Sequence, residues 1–129
     1  MKLSLKRIRA EKRKRERALA DNLERIKVYL IDRGALKIIL FGSFSRILEH
    51  PDGFRGARQG TDLDILCVMP AVKTGREWMA EIYGGAERDV DCDILAYTED
   101  ELEKTIPVSG FLRHAIETGR VIHEKRPEG

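Results

Sequence analysis

The sequence predicts one α/β (α+β) domain with two layers, a mixed β-sheet of about four strands and helices on one side. Three observations support this. The chain has 129 residues, which is enough for one domain with a core of its own. A long stretch has apolar residues at helical spacing, and later stretches alternate short β-branched runs with helical patterns. Gly or Pro residues bound most of these runs, as expected where strands and helices end.

The first element is predicted to be a long helix. No Pro or Gly occurs between residues 6 and 33, and Gly34 supplies the stop. Apolar residues recur at spacings of four, three and four, which form one face of a helix. These residues are Leu19, Leu23, Ile26 and Leu30.

The N-terminal part of this helix has a different character. Residues 1–17 contain nine Lys or Arg and two Glu, a net charge of +7, so the rest of the chain carries −5. Lys12 and Arg15 occupy positions where the apolar face should continue. We therefore expect a basic helical arm over residues 1–17 and a folded domain over residues 18–129.

Four strands and four further helices are predicted after the first helix. The strands cover residues 36–41, 62–69, 88–97 and 121–123, and the helices cover a short segment within 42–49, then 74–83, a segment from Thr98, and 109–118. Thr98 and Glu101 have the spacing of a capping box. Residues 51–60 contain three Gly, one Pro and two Arg and are predicted to form a loop.

Composition limits the class of protein. No apolar run approaches the roughly 20 residues needed to span a bilayer, and no signal-peptide core is present. Cys67 and Cys92 lie in apolar runs without metal-ligand spacing, which indicates reduced thiols in the core. The three histidines lack ligand spacing as well. We expect a soluble cytoplasmic protein with no membrane association.

Carboxylates alternate with apolar residues in two of the predicted strands. Asp62 and Asp64 share one face of their strand, and Asp91 and Asp93 share one face of the next. If the strands are neighbours, the carboxylates converge on a patch that suits two Mg²⁺ or Mn²⁺ ions about 4 Å apart, the arrangement used in phosphoryl chemistry. The alternative is an antiparallel sheet whose solvated face merely carries acidic residues.

A possible phosphate-binding turn precedes these strands. Gly42 and Ser43 lie where a buried strand passes into a helix, and backbone N–H groups at a helix N-terminus attract phosphate. Gly permits close backbone approach, and Ser adds a hydroxyl donor.

Together these segments resemble the minimal nucleotidyltransferases (MNT proteins) of the DNA polymerase β superfamily. The resemblance covers most of residues 20–124 and depends on four segments: LFGSFSR at 40–46, TDLDIL at 61–66, VDCDIL at 90–95 and FLRHAIETGRVI at 111–122. It implies the two-layer nucleotidyltransferase fold. It also implies that Gly42 and Ser43 hold a triphosphate whose charge Arg46 neutralises. Two departures from the family pattern are Ile47, where Gly is usual, and a longer loop before Asp62.

The resemblance assigns the catalytic and metal-binding roles to carboxylates. Asp62 and Asp64 would bind both metal ions, and Asp93 would be the third carboxylate, which ligates one metal and helps to deprotonate the acceptor. Asp91 is the second choice for that third role. The implied reaction transfers an NMP, AMP in the leading interpretation, from an NTP such as ATP to an acceptor hydroxyl.

The acceptor and the partners are left open. Recognition could come from a homodimer, from the basic arm, or from another protein. MNT proteins are commonly paired with a HEPN-domain partner, and some act as antitoxins that transfer AMP to it. Two alternatives remain: a catalytically idle module that binds nucleotide or a partner, and a nucleic-acid-binding protein that uses the arm.

Overall fold

The computed structural model of the chain describes residues 4–42 and 63–126. The helices are α1, α2, α3 and α4, which span Leu5–Asp32, Gly75–Gly85, Glu99–Thr105 and Gly110–Thr118, with a 3₁₀ turn at Ile106–Val108. The strands are β1, β2, β3 and β4, which span Lys37–Phe41, Leu63–Val68, Cys92–Tyr97 and Arg120–Glu124. No helix in these two ranges combines the length and apolar character needed to cross a membrane.

The four strands form one mixed sheet in the order β3-β2-β1-β4. β1 runs antiparallel to β2 and to β4, whereas β2 and β3 are parallel and are connected through α2. A parallel pair needs such a crossover because a tight turn can only reverse the chain. The predicted fold class, an α+β domain with a mixed sheet of about four strands, is confirmed.

The main core lies between one face of the sheet, α1 and α2. Leu23, Ile26 and Leu30 of α1 and Trp78 and Ile82 of α2 are buried in it. Alternate residues of the strands supply the sheet side, as the two-residue period requires. They are Ile38, Leu40, Leu63, Ile65, Cys67, Ile94 and Ala96.

The structure adds a smaller apolar cluster on the opposite face. Leu112 and Ala115 of α4 are buried there against Ile39, Phe41 and Leu66. α4 therefore covers part of the face that carries the odd-numbered positions of β1, while α1 and α2 form the main helical layer on the other side.

β3 begins later than its sequence pattern predicts. The alternation of Asp and apolar residues suggests a strand from residue 88, but β3 starts at Cys92. The backbone N–H of Asp89 donates to Oδ1 of Asn22 at 2.7 Å, and Asn22 is buried on α1. This backbone group is bound to a helix side chain, and the segment before β3 is anchored to α1.

α1 is one continuous helix that starts with a capped turn. The side chain of Ser4 accepts a hydrogen bond from the backbone N–H of Arg7. Its buried side chains begin at Leu19, whereas Leu5 and Ile8 are 68% and 45% exposed. The domain boundary between residues 17 and 18 stays a prediction.

Cys67 should not react with a thiol reagent in the native protein. Neither forms a disulfide; Cys67 is buried in the main core and Cys92 is half-buried. Burial raises the pKa of the Cys67 thiol to about 12, so almost no reactive thiolate exists near neutral pH. Native protein treated with iodoacetamide should be modified at Cys92 or not at all, with Cys67 reacting after unfolding in urea. Peptide mass mapping that finds Cys67 alkylated in the native protein would contradict its place in the core.

Candidate functional site

Two carboxylates lie side by side on one face of the sheet. Asp64 of β2 and Asp93 of β3 are direct partners in the parallel register, and neighbouring strands are about 4.8 Å apart. Asp64 is half-buried and Asp93 is exposed. Like charges at such spacing repel one another unless a cation compensates them. The neighbouring strands therefore bring together two of the predicted site residues.

Gly42 lies directly against Asp64 of this pair. Phe41, the last residue of β1, pairs with Asp64 across the sheet, and Gly42 follows with φ of +77°. A Cβ atom at position 42 would overlap Oδ2 of Asp64. Both the backbone conformation and the space beside the carboxylate require glycine here. The strand end thus brings main-chain atoms, without a side chain, to the acidic pair.

The remaining predicted site residues lie outside the described part of the chain. Asp62, Ser43 and Arg46 belong to the segment 43–62, as does the predicted loop 51–60. Asp91, the second choice for the third carboxylate, lies just before β3, and its carbonyl accepts a hydrogen bond from the backbone N–H of Leu63 at 3.1 Å. That contact holds the start of β2 beside the residues that lead into β3.

A cavity of about 470 Å³ opens in front of the carboxylates. Gly42, Asp64 and Asp93 line it on the acidic side. α4 lines the other side with Phe111, His114, Ala115 and Thr118, and Phe41 completes the described wall. No site role is predicted for this helix from the sequence. One pattern in the sequence could have indicated that this helix lines a site. Residues 111, 114, 115 and 118 are spaced so that they share one face of a helix.

A second, wider cavity adjoins the first. It has a volume of about 930 Å³ and is lined by the segment 86–93. Its wall is charged: Arg88, Asp89 and Asp91 contribute to it, and Asp89 pairs with Arg25 at 2.9 Å between Oδ2 and Nη2. Asp93 lines both cavities. Asp93 therefore lies where the first cavity, which has acidic and aromatic walls, meets the charged second cavity.

The acidic pair fits a divalent cation of the magnesium type. Mg²⁺ prefers oxygen ligands and is commonly held by one or two carboxylates, with phosphate and water completing its shell. Among residues 4–42 and 63–126, no group of three or more His, Cys, Asp or Glu side chains could hold a metal. Asp64 and Asp93 would supply two ligands, and the predicted third, Asp62, lies outside these ranges.

Comparison with known proteins gives no assignment of family. The chain matches no protein-family model, and neither a curated protein nor a solved structure matches it. The resemblance to minimal nucleotidyltransferases therefore depends on the sequence segments quoted above. Function has to be argued from the site itself.

Proposed function

We propose that the protein is a metal-dependent nucleotidyltransferase. The observation that carries this proposal is the pairing of Asp64 with Asp93 on adjacent strands, with Gly42 against Asp64 in the same cavity. The acceptor oxygen attacks the α-phosphorus of an NTP such as ATP. The new O–P bond forms as the bond to the pyrophosphate oxygen breaks, and the acceptor hydroxyl loses its proton.

The residues of the site divide two tasks in this reaction, metal binding and triphosphate binding. Asp64 and Asp93, together with Asp62, would hold Mg²⁺ or Mn²⁺. When bound, such ions would neutralise the phosphate charge and help to orient the reacting oxygens. The backbone at Gly42 allows the triphosphate to approach closely, and Ser43 and Arg46 complete its binding.

Asp93 also receives the proton of the acceptor hydroxyl in this proposal. Its position between the two cavities supports that role: nucleotide occupies the cavity beside Gly42, and the acceptor approaches through the charged cavity of segment 86–93. The wall of that second cavity carries both signs of charge, which suits a polar acceptor such as a hydroxyl on a protein surface.

The partner of the reaction follows from the family resemblance. We propose a HEPN-type protein as the acceptor of AMP, in an antitoxin system of the cytoplasm, with the basic arm or a homodimer contributing to recognition. Cys67 is a buried thiol, and a reduced cysteine in the core suits a reducing compartment.

Calorimetric titration with ATP, with and without Mg²⁺, tests the proposal. Binding to the wild-type protein should require Mg²⁺, and Asp93→Asn should weaken it about tenfold or more because a charged metal ligand is lost. Asp100→Asn is the matched control, since Asp100 is an exposed aspartate paired with Lys104 on α3.

Three results would count against the proposal. Wild-type protein that binds no NTP in the presence of Mg²⁺ or Mn²⁺ would favour the idle module. Equal weakening by Asp93→Asn and Asp100→Asn would show that the acidic pair is not the binding site. Nucleic-acid affinity that falls steeply with salt, without NTP binding, would favour the arm as the functional element.

A further inference from the structure

An aromatic side chain stands exposed at the rim of the first cavity. Phe111 is 59% exposed, although its neighbour Phe41 is only 8% exposed. The two rings meet edge to face, with centroids 5.7 Å apart and an interplanar angle of 79°. Phe41 therefore supports Phe111 from one side, and much of the Phe111 ring is open to solvent.

Polar groups follow Phe111 along the same face of α4. His114 and Thr118 lie three and seven residues further and line the same cavity. Ala115 is small and buried beneath them. The cavity thus has two unlike walls: Gly42 and the carboxylates on the sheet side, and an aromatic ring with polar neighbours on the helix side.

From these walls we infer that α4 binds the nucleobase of the substrate, with the base stacked on Phe111. This inference rests on the proposed function and specifies which part of the nucleotide each wall contacts. A nucleotide has a charged phosphate end and an aromatic end, and the cavity offers a matching wall for each. Its volume is within the range of small-ligand sites.

Base preference in this arrangement comes from the polar neighbours of the ring. Stacking on an aromatic side chain accepts any base, because every base has a π-face. The ring of His114 can hydrogen-bond to the edge of the base or to the ribose. The hydroxyl of Thr118 donates to the carbonyl of His114 at 2.7 Å, so it can still accept a hydrogen bond from the nucleotide. Phe111 therefore supplies affinity, and His114 and Thr118 discriminate among nucleotides.

Binding of two probes separates the base wall from the phosphate wall. Mg²⁺-ATP contains phosphate, ribose and base, whereas Mg²⁺-tripolyphosphate contains phosphate alone. Phe111→Ala should weaken ATP binding about tenfold, the scale of one base–aromatic stack, and leave tripolyphosphate binding unchanged. Phe111→Trp should retain ATP binding because the indole also stacks.

A matched variant controls for the loss of an exposed apolar side chain. Val72 is 81% exposed and is not one of the described residues that line the cavity. Val72→Ala should therefore bind both probes as the wild type does. Thermal melting of each variant tests whether the fold is retained. A Phe111→Ala protein that melts early is replaced in the comparison by Phe111→Leu, which keeps apolar bulk but cannot stack.

The outcomes distinguish this inference from the proposed function. Unchanged ATP binding in Phe111→Ala and Phe111→Leu would overturn the base wall while the metal site stands. Equal weakening of both probes would overturn it too, because Phe111 would then act on the whole site. A wild-type protein that binds neither probe would overturn the proposed function itself, and this inference with it.

Discussion

Gly42→Ala should weaken Mg²⁺-dependent ATP binding at least about 100-fold, or about 2.8 kcal/mol. The new methyl group would overlap Oδ2 of Asp64, so either the carboxylate or the end of β1 must move. Residue 42 also has φ of +77°, which costs an L-residue about 1–2 kcal/mol. The substitution should therefore lower the free energy of unfolding as well as disrupt the acidic pair.

Gly34→Ala separates these two effects. Gly34 also has a positive φ, +92°, but a Cβ atom there would meet Cγ of Pro70 at 3.0 Å, away from the carboxylates. Both variants should be destabilised in urea by about 1–2 kcal/mol. Calorimetry should show lost ATP binding in Gly42→Ala alone. Comparable binding losses in both would mean that general destabilisation, rather than the contact with Asp64, explains the effect.

Glu101→Ala should lower the free energy of unfolding by about 3 kcal/mol. The carboxylate of Glu101 accepts hydrogen bonds from the backbone N–H groups of Thr98 and Gly75, each at 2.9 Å. One side chain thus binds the first turns of both α2 and α3. Its removal leaves the N–H of buried Gly75 without this partner, and a buried unpaired donor is costly. Urea unfolding curves measure the loss.

The same contacts make part of the stability depend on pH. The hydrogen bond from the backbone of Thr98, followed by that from Gly75, holds the pKa of Glu101 below its usual value of 4.5. A lowered folded-state pKa gives stability that is present above about pH 4.5 and is lost as pH falls through the folded-state value.

Glu101→Gln should accordingly flatten the decline of stability in acid. Some decline should persist, because the hydrogen bonds from Thr74 also lower the pKa of Glu77. Glu103→Gln, at an exposed position of α3, is the matched control and should follow the wild-type curve. A Glu101→Gln curve parallel to that of the wild type between pH 3 and 6 would show that these hydrogen bonds do not contribute measurably.

Local patterns in the sequence were sufficient to predict most elements of the fold. The apolar face of α1 and its end before Gly34 follow from helical spacing, and all four predicted residues of that face are buried. The capping box of Thr98 and Glu101 is present as predicted. These features depend on residues close together in the chain, so they can be recognised without knowledge of the tertiary structure.

Contacts between distant segments could not be predicted in the same way. The alternation of Asp62 and Asp64 indicates a strand face, but it does not show that β2 pairs in parallel with β3. The segment before β3 is anchored by Asn22, which is 67 residues away from Asp89. The sequence does not show that Phe111 is exposed, because its position at the cavity depends on how α4 packs against the sheet.

The unbroken course of α1 has a mechanical consequence. Its exposed first half, residues 5–18, is about 21 Å long at 1.5 Å per residue and continues without Gly or Pro into the part that is buried against the sheet. A flexible tether would let a bound molecule sample many positions. A continuous helix of this length would instead hold any molecule bound to its basic side chains at a fixed distance and direction from the core.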